Sequence, residues 1–338
     1  SNKIQNDYFD LIVTNPPWWA KMSREYQWYH IESWESFSYF IERGLGLLKK
    51  WWILSYILPE SILNVKVHSD IRKIMLNYDI LSIYELGKIF TWVFTDVIRI
   101  DIRKEKEDGI IDIYSNWITH SCPKIDFKEN TNYTFSIHIN KEDTEIIQKL
   151  YSREHIFLDN DNADWALWIV TWNNKEFLSD ECKNWYIPIY TWKEVSPYKL
   201  LPAKKYLLFA PEKFQQVAPL EKYYTKPKLI YKFISKKLIF SLDEEGVFTL
   251  NSANILIPKI KYPIKVITAL LNSKLYQDIY EKKFNSIKIL KSQIQELPLP
   301  ILDEREYAKI EEFFDKFEKK EISKEDIDTY IFNLLVFV

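Results

Sequence analysis

Apolar and polar positions change their spacing along the chain, and the changes divide it. Tyr8 to Thr14 (YFDLIVT) is a short β-branched apolar run of the kind found in a buried parallel strand. It ends at Asn15-Pro16-Pro17, which cannot continue a sheet. Phe37, Tyr39, Phe40, Ile41, Leu45, Leu47 and Leu48 follow as a helix. Ile53 to Leu58 predicts the next strand, Asp70 to Leu76 a short helix, and Ile80 to Glu85 and Asp96 to Arg103 two further strands. Strand, helix, strand, helix, strand implies an α/β fold with right-handed crossovers onto a mostly parallel sheet, where ligands sit beyond the carboxyl ends of the strands. The Asn15 tetrapeptide lies at such an end.

Beyond residue 104 the period changes. Residues 105–160 are polar and turn-rich and read as a connecting region, with a short strand at Ile110 to Tyr114 and a helix near Thr144 to Tyr151. Residues 161–300 carry short apolar runs (Leu207 to Ala210, Leu229 to Phe233, Leu238 to Ser241, Ile255 to Ile257) between Pro, Gly and Asn turns, then a helix pattern from Ile264 to Tyr280. That is an α+β domain. Residues 301–338 form a tail whose Glu304 to Asn333 stretch predicts two charged amphipathic helices.

The length of 338 residues suits more than one domain. No apolar run approaches the ~20 residues of a membrane helix and no signal peptide opens the chain, so the expected setting is cytoplasmic, with no membrane partner. Cys122 and Cys182 stand alone, which fits a reducing compartment, and the five histidines show no ligand spacing, so no metal is expected.

Glycine is about 7% of an ordinary chain, yet only 5 occur here against 13 tryptophans. The tryptophans occupy places where a chain reversal wants no side chain. Trp51 and Trp52 separate a helix pattern from a strand, Trp172 precedes Asn173, Trp185 follows Asn184, and Trp192 precedes a lysine in YTWKEV. Trp19, Trp34, Trp51, Trp52, Trp92, Trp117, Trp168, Trp172, Trp185 and Trp192 therefore read as glycine positions, through a codon that the source translates as Gly. The competing reading is a tryptophan-rich surface.

Charge is uneven although the total is only −2. Residues 193–295 hold 19 lysines and 8 acidic residues, a net of +11, and no arginine. A local surplus of that size suits a polyanion, because each neutralised phosphate releases counterions. A solvated lysine-rich face is the alternative. Lys228, Lys232, Lys236 and Lys237 alternate with Tyr231 and Phe233, so a strand there would separate a basic face from an apolar one. Asn251, Ser252 and Asn254 are uncharged hydrogen-bonding candidates in the same region. Asp278, Glu281 and Lys283 mimic a nuclease spacing but lie on a predicted helix and read as its solvated face.

Asn15-Pro16-Pro17-Trp18, after the strand, carries the candidate chemistry. An exocyclic amino nitrogen is a poor nucleophile because its lone pair is delocalised into the ring. Two acceptors aimed at its hydrogens favour the pyramidal, nucleophilic form, so their stabilisation appears mainly in the transition state. The Asn15 side-chain oxygen and the Pro16 carbonyl can be that pair, with proline fixing the direction of the carbonyl. Trp18 can stack on the base, which must leave the duplex to be reached.

With these residues the chain resembles the amino-methyltransferases of DNA, whose signature is Asn-Pro-Pro followed by Tyr, Phe or Trp. The resemblance covers nearly the whole chain and is to the gamma-class, TaqI-like N6-adenine enzymes of type II restriction-modification systems. SFSYFIERGLGLLKKWWILSYILPES is similar to the family's helix, Gly-Gly turn and Pro-containing strand if Trp51 and Trp52 are glycines. YELGKIFTWVFTDVIRI is similar to the segment that supplies a second aromatic wall, which places that role on Phe90 ahead of Phe94. LWIVTWNNKEF, YIPIYTWKEV, KPKLIYKFISKKLIF, FTLNSANILIP and LLNSKLYQDIYEKKF through LPLP look like the family's target-recognition domain.

The resemblance implies a division into residues 1–104, the carboxy-terminal half of a Rossmann-like methyltransferase domain; 105–160, a connection; 161–300, the DNA target-recognition domain; and 301–338, a helical tail. It also implies S-adenosyl-L-methionine as cofactor, double-stranded DNA as partner, and a cognate restriction nuclease, fused or separate. The family's glycine-rich cofactor loop should precede the catalytic strand, where only about eight residues stand, so the chain reads as a fragment that is inactive alone, with its cofactor contacts elsewhere. Two other functions share these features: a methyltransferase acting on protein glutamine or RNA, and a non-catalytic specificity module like the type I specificity subunits.

Overall fold

In the computed structural model, which describes residues 5–22, 30–91, 95–115 and 119–337, strand Phe9–Thr14 (β1) leads to helix Ser36–Leu47 (α1) and strand Leu48–Pro59 (β2). Helix Ser69–Met75 (α2) and strands Asp79–Gly87 (β3), Val97–Arg103 (β4), Ile110–Tyr114 (β5) and Thr119–Pro123 (β6) follow, then helix Lys124–Glu129 (α3). The six strands make one sheet in the order β1-β2-β4-β3-β5-β6. Chain contacts divide the molecule into two units, Ser1–Glu142 and Asp143–Val338.

The α/β class expected from the alternation is present, but the sheet is mixed rather than mostly parallel. β1 runs parallel to β2 and β3 to β5, whereas β4 is antiparallel to both β2 and β3. The segment 88–96 between β3 and β4 is shorter than the dozen or so residues a crossover needs, so the chain turns back on itself. α1 buries Phe37, Tyr39, Ile41 and Leu45. Its close approach to β2 needs Gly44, because a Cβ there would collide with the Tyr56 hydroxyl and the Leu54 side chain. β1 is an edge strand, and Leu11 and Val13 are 57% and 67% exposed although the strand's sequence reads as one buried on both faces.

The stretch 105–160 is divided by the structure. β5 and β6 complete the first sheet, and Phe127, Phe135 and Ile137 join its core. The buried Arg72 guanidinium donates to the carbonyls of Ile62 (2.7 Å), Val65 (3.0 Å) and Asn132 (2.9 Å), tying this stretch to the loop after β2. Helix Lys141–Ser152 begins at the boundary, and strand His155–Phe157 pairs with Pro298–Pro300 inside the second unit. Residues 105–142 thus complete the first unit instead of linking two domains.

The second unit contains a five-stranded sheet in the order Tyr198–Lys199, Phe240–Asp243, Lys228–Lys232, Ala253–Pro258 and Ala163–Ala166, and a four-stranded sheet that includes Tyr186–Tyr190 and Lys205–Leu208. The Ile264–Tyr280 helix pattern is two helices, Ile264–Asn272 and Lys274–Phe284, because Ser273 leaves helical geometry to cap the second. Helices Glu304–Glu318 and Lys324–Phe332 bury Ile310, Phe314, Ile327 and Ile331 in the same core as Leu229 and Tyr231. The 301–338 segment is therefore part of this unit, not a tail.

The tryptophans separate by environment. Trp18 is buried and Trp165 packs on the core. Trp19, Trp34, Trp51, Trp52, Trp172, Trp185 and Trp192, all read as glycine positions, are 44% to 90% exposed, and Trp168 is half-buried. Trp51 (φ 74°) and Trp185 (φ 71°) occupy left-handed backbone that favours glycine, which supports that reading. Trp92 and Trp117 lie outside the described residues. No helix among the described residues is long and apolar enough to cross a membrane.

Candidate active site

β1 delivers Asn15 to the carboxyl edge of the sheet, and the two prolines that end the strand set the path of the next turn. Asn15, Pro16, Pro17, Trp18, Trp19, Ala20 and Phe90 line one cavity of about 360 Å³. That volume lies in the range of small-molecule sites, about 300–1,000 Å³. Asn15 is exposed and its side-chain amide makes no hydrogen bond among the described residues, whereas Pro16 is buried. Five residues named from the sequence, Asn15, Pro16, Pro17, Trp18 and Phe90, are thus brought together across 75 positions of chain.

The loop is braced on both sides. The Trp18 indole donates from Nε1 to the Ile57 carbonyl of β2 at 3.3 Å, and the buried Ser36 hydroxyl, at the start of α1, donates to the Pro17 carbonyl. Ser36 N–H donates to the Ala20 carbonyl at 2.9 Å. Ser36 and the Ile57 carbonyl went unnoticed in the sequence, because a serine before a helix and a mid-strand carbonyl carry no distinguishing pattern. Trp18 and Phe90 meet edge-to-face, with ring centroids 5.7 Å apart and planes at 65°. A base between parallel rings needs about 7 Å, twice the ~3.5 Å contact distance, so the two rings do not form an open sandwich in this state. Phe94 lies outside the described residues.

The lysine candidates fare differently. Lys228 is fully buried, not a surface cation. Its ammonium pairs with Asp243 at 2.5 Å and donates to the Thr225 carbonyl at 3.1 Å, and burial lowers its pKa while Asp243 opposes that shift. Its strand is third of five in the sheet and covered on both faces, which defeats the basic-face alternation read from the sequence. Asn254 is also buried and donates to the Tyr231 hydroxyl at 3.2 Å, so it cannot reach a base. Lys236, Lys237 and Asn251 are exposed, and Lys232 and Ser252 are half-buried. Asp278 pairs with Lys274, and Lys283 with Glu296 at 3.2 Å, so these two members of the nuclease-like spacing belong to structural ion pairs.

Glu60, Glu85 and His138 bring ligand-type atoms within 4.8 Å of one another, with His138 Nε2 4.0 Å from Glu85 Oε1. They are too far apart in sequence for a spacing search to find.

Residues 2–90 match the model of the Eco57I restriction-modification methylases, and residues 187–299 that of the TaqI-like C-terminal specificity domain. The type II methyltransferase M.VspI of Vibrio sp. (strain 343) is 26% identical over 205 residues, 58% of this chain and 50% of that protein. The chain spans about half the length of this curated relative. Among solved structures, the type IIL restriction-modification enzyme MmeI in complex with DNA is similar in fold, with a TM-score of 0.59 at 10% identity over 96% of this chain and 54% of that one. A nuclease-deletion mutant of the type ISP enzyme LlaGI, with a DNA substrate mimic, gives 0.56 at 10% identity over 92% of this chain and 41% of that one. The chain therefore carries a segment similar to the Eco57I restriction-modification methylases followed by a segment similar to the TaqI-like C-terminal specificity domain.

Proposed function

We propose that this chain holds the target base in a DNA adenine-N6 methyltransferase of a restriction-modification system, with S-adenosylmethionine as the methyl donor. The observation that carries the reading is the cavity at the carboxyl edge of the sheet, lined by an Asn15 amide with no hydrogen-bond partner among the described residues, beside the Asn-Pro-Pro-Trp turn and Phe90. Asn15 Oδ1 and the Pro16 carbonyl accept the two amino hydrogens and turn the nitrogen lone pair out of conjugation. Trp18, fixed by Ile57 and the core, is the stationary wall. Phe90, half-buried after β3, is the ring that swings to admit an extruded base.

The donor supplies an electrophilic methyl on a sulfonium. Among the described residues, the cavity lining has no carboxylate for its ribose and no glycine-rich turn for its methionine end. The lining therefore does not fit the whole cofactor. The second unit, with its lysine surplus and TaqI-like segment, holds double-stranded DNA. In the intact protein, Asn15→Ala lowers the initial rate of methyl incorporation into DNA by about a hundredfold or more and leaves DNA affinity unchanged. Loss of DNA binding, with residual turnover normal per bound complex, refutes the assignment.

A further inference from the structure

The second unit has a cavity of about 500 Å³ that none of the catalytic residues enters, lined among others by Asn174, Lys175, Trp192, Lys193, Lys205 and Asn251. Its electrostatics are unbalanced. Lys205 is matched by Asp180 at 2.7 Å, but among the described residues Lys175 and Lys193 have no acidic partner and the Asn251 amide makes no hydrogen bond. The Asn174 side-chain oxygen is already engaged, accepting from the Thr171 hydroxyl at 2.6 Å. An exposed amide with two donors and an acceptor beside two uncompensated ammonium groups gains little from water-filled space and much from a partner rich in acceptors.

The frame around these groups is rigid. The buried Glu194 carboxylate accepts from Thr191 N–H (2.9 Å) and Thr191 Oγ1 (2.7 Å), closing the turn that presents Trp192 and Lys193. Trp192 N–H donates to the Asn251 carbonyl at 3.3 Å and Leu250 N–H to the Tyr190 carbonyl at 2.7 Å, which locks the two loops together. Asn251 (φ 46°) and Ser252 (φ 62°) form a left-handed corner at which Asn251 is exposed, a strained geometry of the kind retained at binding sites. The Lys193 and Lys232 ammonium groups lie 5.8 Å and 5.7 Å from the centroid of the Trp192 ring. With glycine at 192 the turn and both lysines remain, so the indole is not required.

We infer that this cavity is the base-reading surface of the specificity domain, where Asn251 reads a purine edge and Lys193 and Lys175 read or flank guanine acceptors in the major groove. The inference rests on the reading of the second unit as DNA-binding and adds the residues that discriminate. Charge surplus alone explains phosphate contacts, which position without specifying. A neutral amide on a fixed corner is what base discrimination needs, since Asn pairs with adenine N6 and N7 and Lys with guanine O6 and N7. The inference places specificity at residues 175, 193 and 251 rather than on the strand Lys228–Lys232, whose first lysine is buried.

The test is selection of preferred duplexes from a randomised pool by the full chain, followed by affinity measurement across salt. Asn251→Gly keeps the left-handed corner and removes only the amide, so folding is preserved. It should reduce discrimination at one base-pair position by about tenfold or more and leave the salt slope unchanged. Lys193→Ala should relax a neighbouring position. Lys236→Ala, an exposed lysine outside the cavity, serves as the control and should weaken all sequences alike. If Asn251→Gly and Lys193→Ala leave the wild-type preference intact, or weaken every sequence equally, the inference is overturned while the DNA-binding reading stands. If the wild-type chain selects no sequence and binds no duplex, both fall.

Discussion

Asn15 in the first unit and Lys228 in the second were both singled out from the sequence, and their surroundings are opposite. Asn15 is exposed at the rim of a cavity with an unengaged amide. Lys228 is wholly buried, with an ion pair to Asp243 and carbonyls of the preceding turn on its ammonium. Asn15 stands out in the sequence because a reaction needs that residue type beside a strand end, and Lys228 because lysines there are numerous and alternate with aromatics. A motif tied to a chemical requirement leads to residues that line a cavity, and a charge count leads to a residue that holds the fold together.

That comparison can be broken by experiment. Lys228→Ala leaves the Asp243 carboxylate buried without its partner, which should lower stability by about 3–5 kcal/mol, whereas Lys236→Ala should leave the denaturation midpoint unchanged and lower the salt slope of DNA binding by about one. Equal stability losses at the two positions would erase the distinction. Chemical denaturation of the two variants decides this.

The first unit carries its own pH sensitivity. The His68 ring packs on Phe37 at 5.0 Å, and burial, aided by Arg72 and opposed by Asp70, lowers its pKa from 6.5 to about 4. The folded state thus favours the neutral ring. Stability is full above pH 6.5 and is lost as pH falls toward 4, by up to about 3 kcal/mol. Hydrogen exchange over that range should show protection falling around α1 and α2 before the second unit, and His68→Leu should flatten the dependence. A flat profile in the parent protein contradicts the burial.

The smallest effect concerns the glycine positions. Trp51→Gly and Trp185→Gly, one in each unit, should each raise stability by about 1 kcal/mol, because both residues sit in left-handed backbone. Trp18→Gly should instead destabilise, since that indole is core. A mass measurement on protein from the native source reads the same question directly: glycine at these positions confirms a reassigned codon, and tryptophan at Trp51 and Trp185 refutes it.

Much of the fold was legible where local pattern and tertiary demand agree. The α1 periodicity and the two terminal amphipathic helices stand where the spacing put them, while the strand read as Ile53 to Leu58 runs from Leu48 to Pro59 and takes in Leu48, Trp51 and Trp52, which the pattern placed before it. The mixed direction of the sheet was not legible, because β4 looks like any buried strand and only the short 88–96 segment reveals its reversal. Nor was the membership of 105–142 in the first unit, since β5 and β6 are short and alternate with polar residues at a sheet edge. Asn15 to Trp18 and Phe90 line one cavity, as the sequence groups them, but the braces from Ser36 and Ile57 are backbone and hydroxyl contacts that no residue type announces. The cavity at Lys175, Lys193 and Asn251 depends on two loops locked by backbone hydrogen bonds, which sequence spacing does not display.

The central claim is that the diproline corner holds an adenine amino group for methylation. Nucleoside mass spectrometry of DNA from cells expressing the intact gene tests it most directly. The account predicts N6-methyldeoxyadenosine with the wild-type protein and its disappearance with Asn15→Ala at equal protein levels. Methylated adenine at undiminished levels in the Asn15→Ala cells, or methylation found only on cytosine, would contradict it.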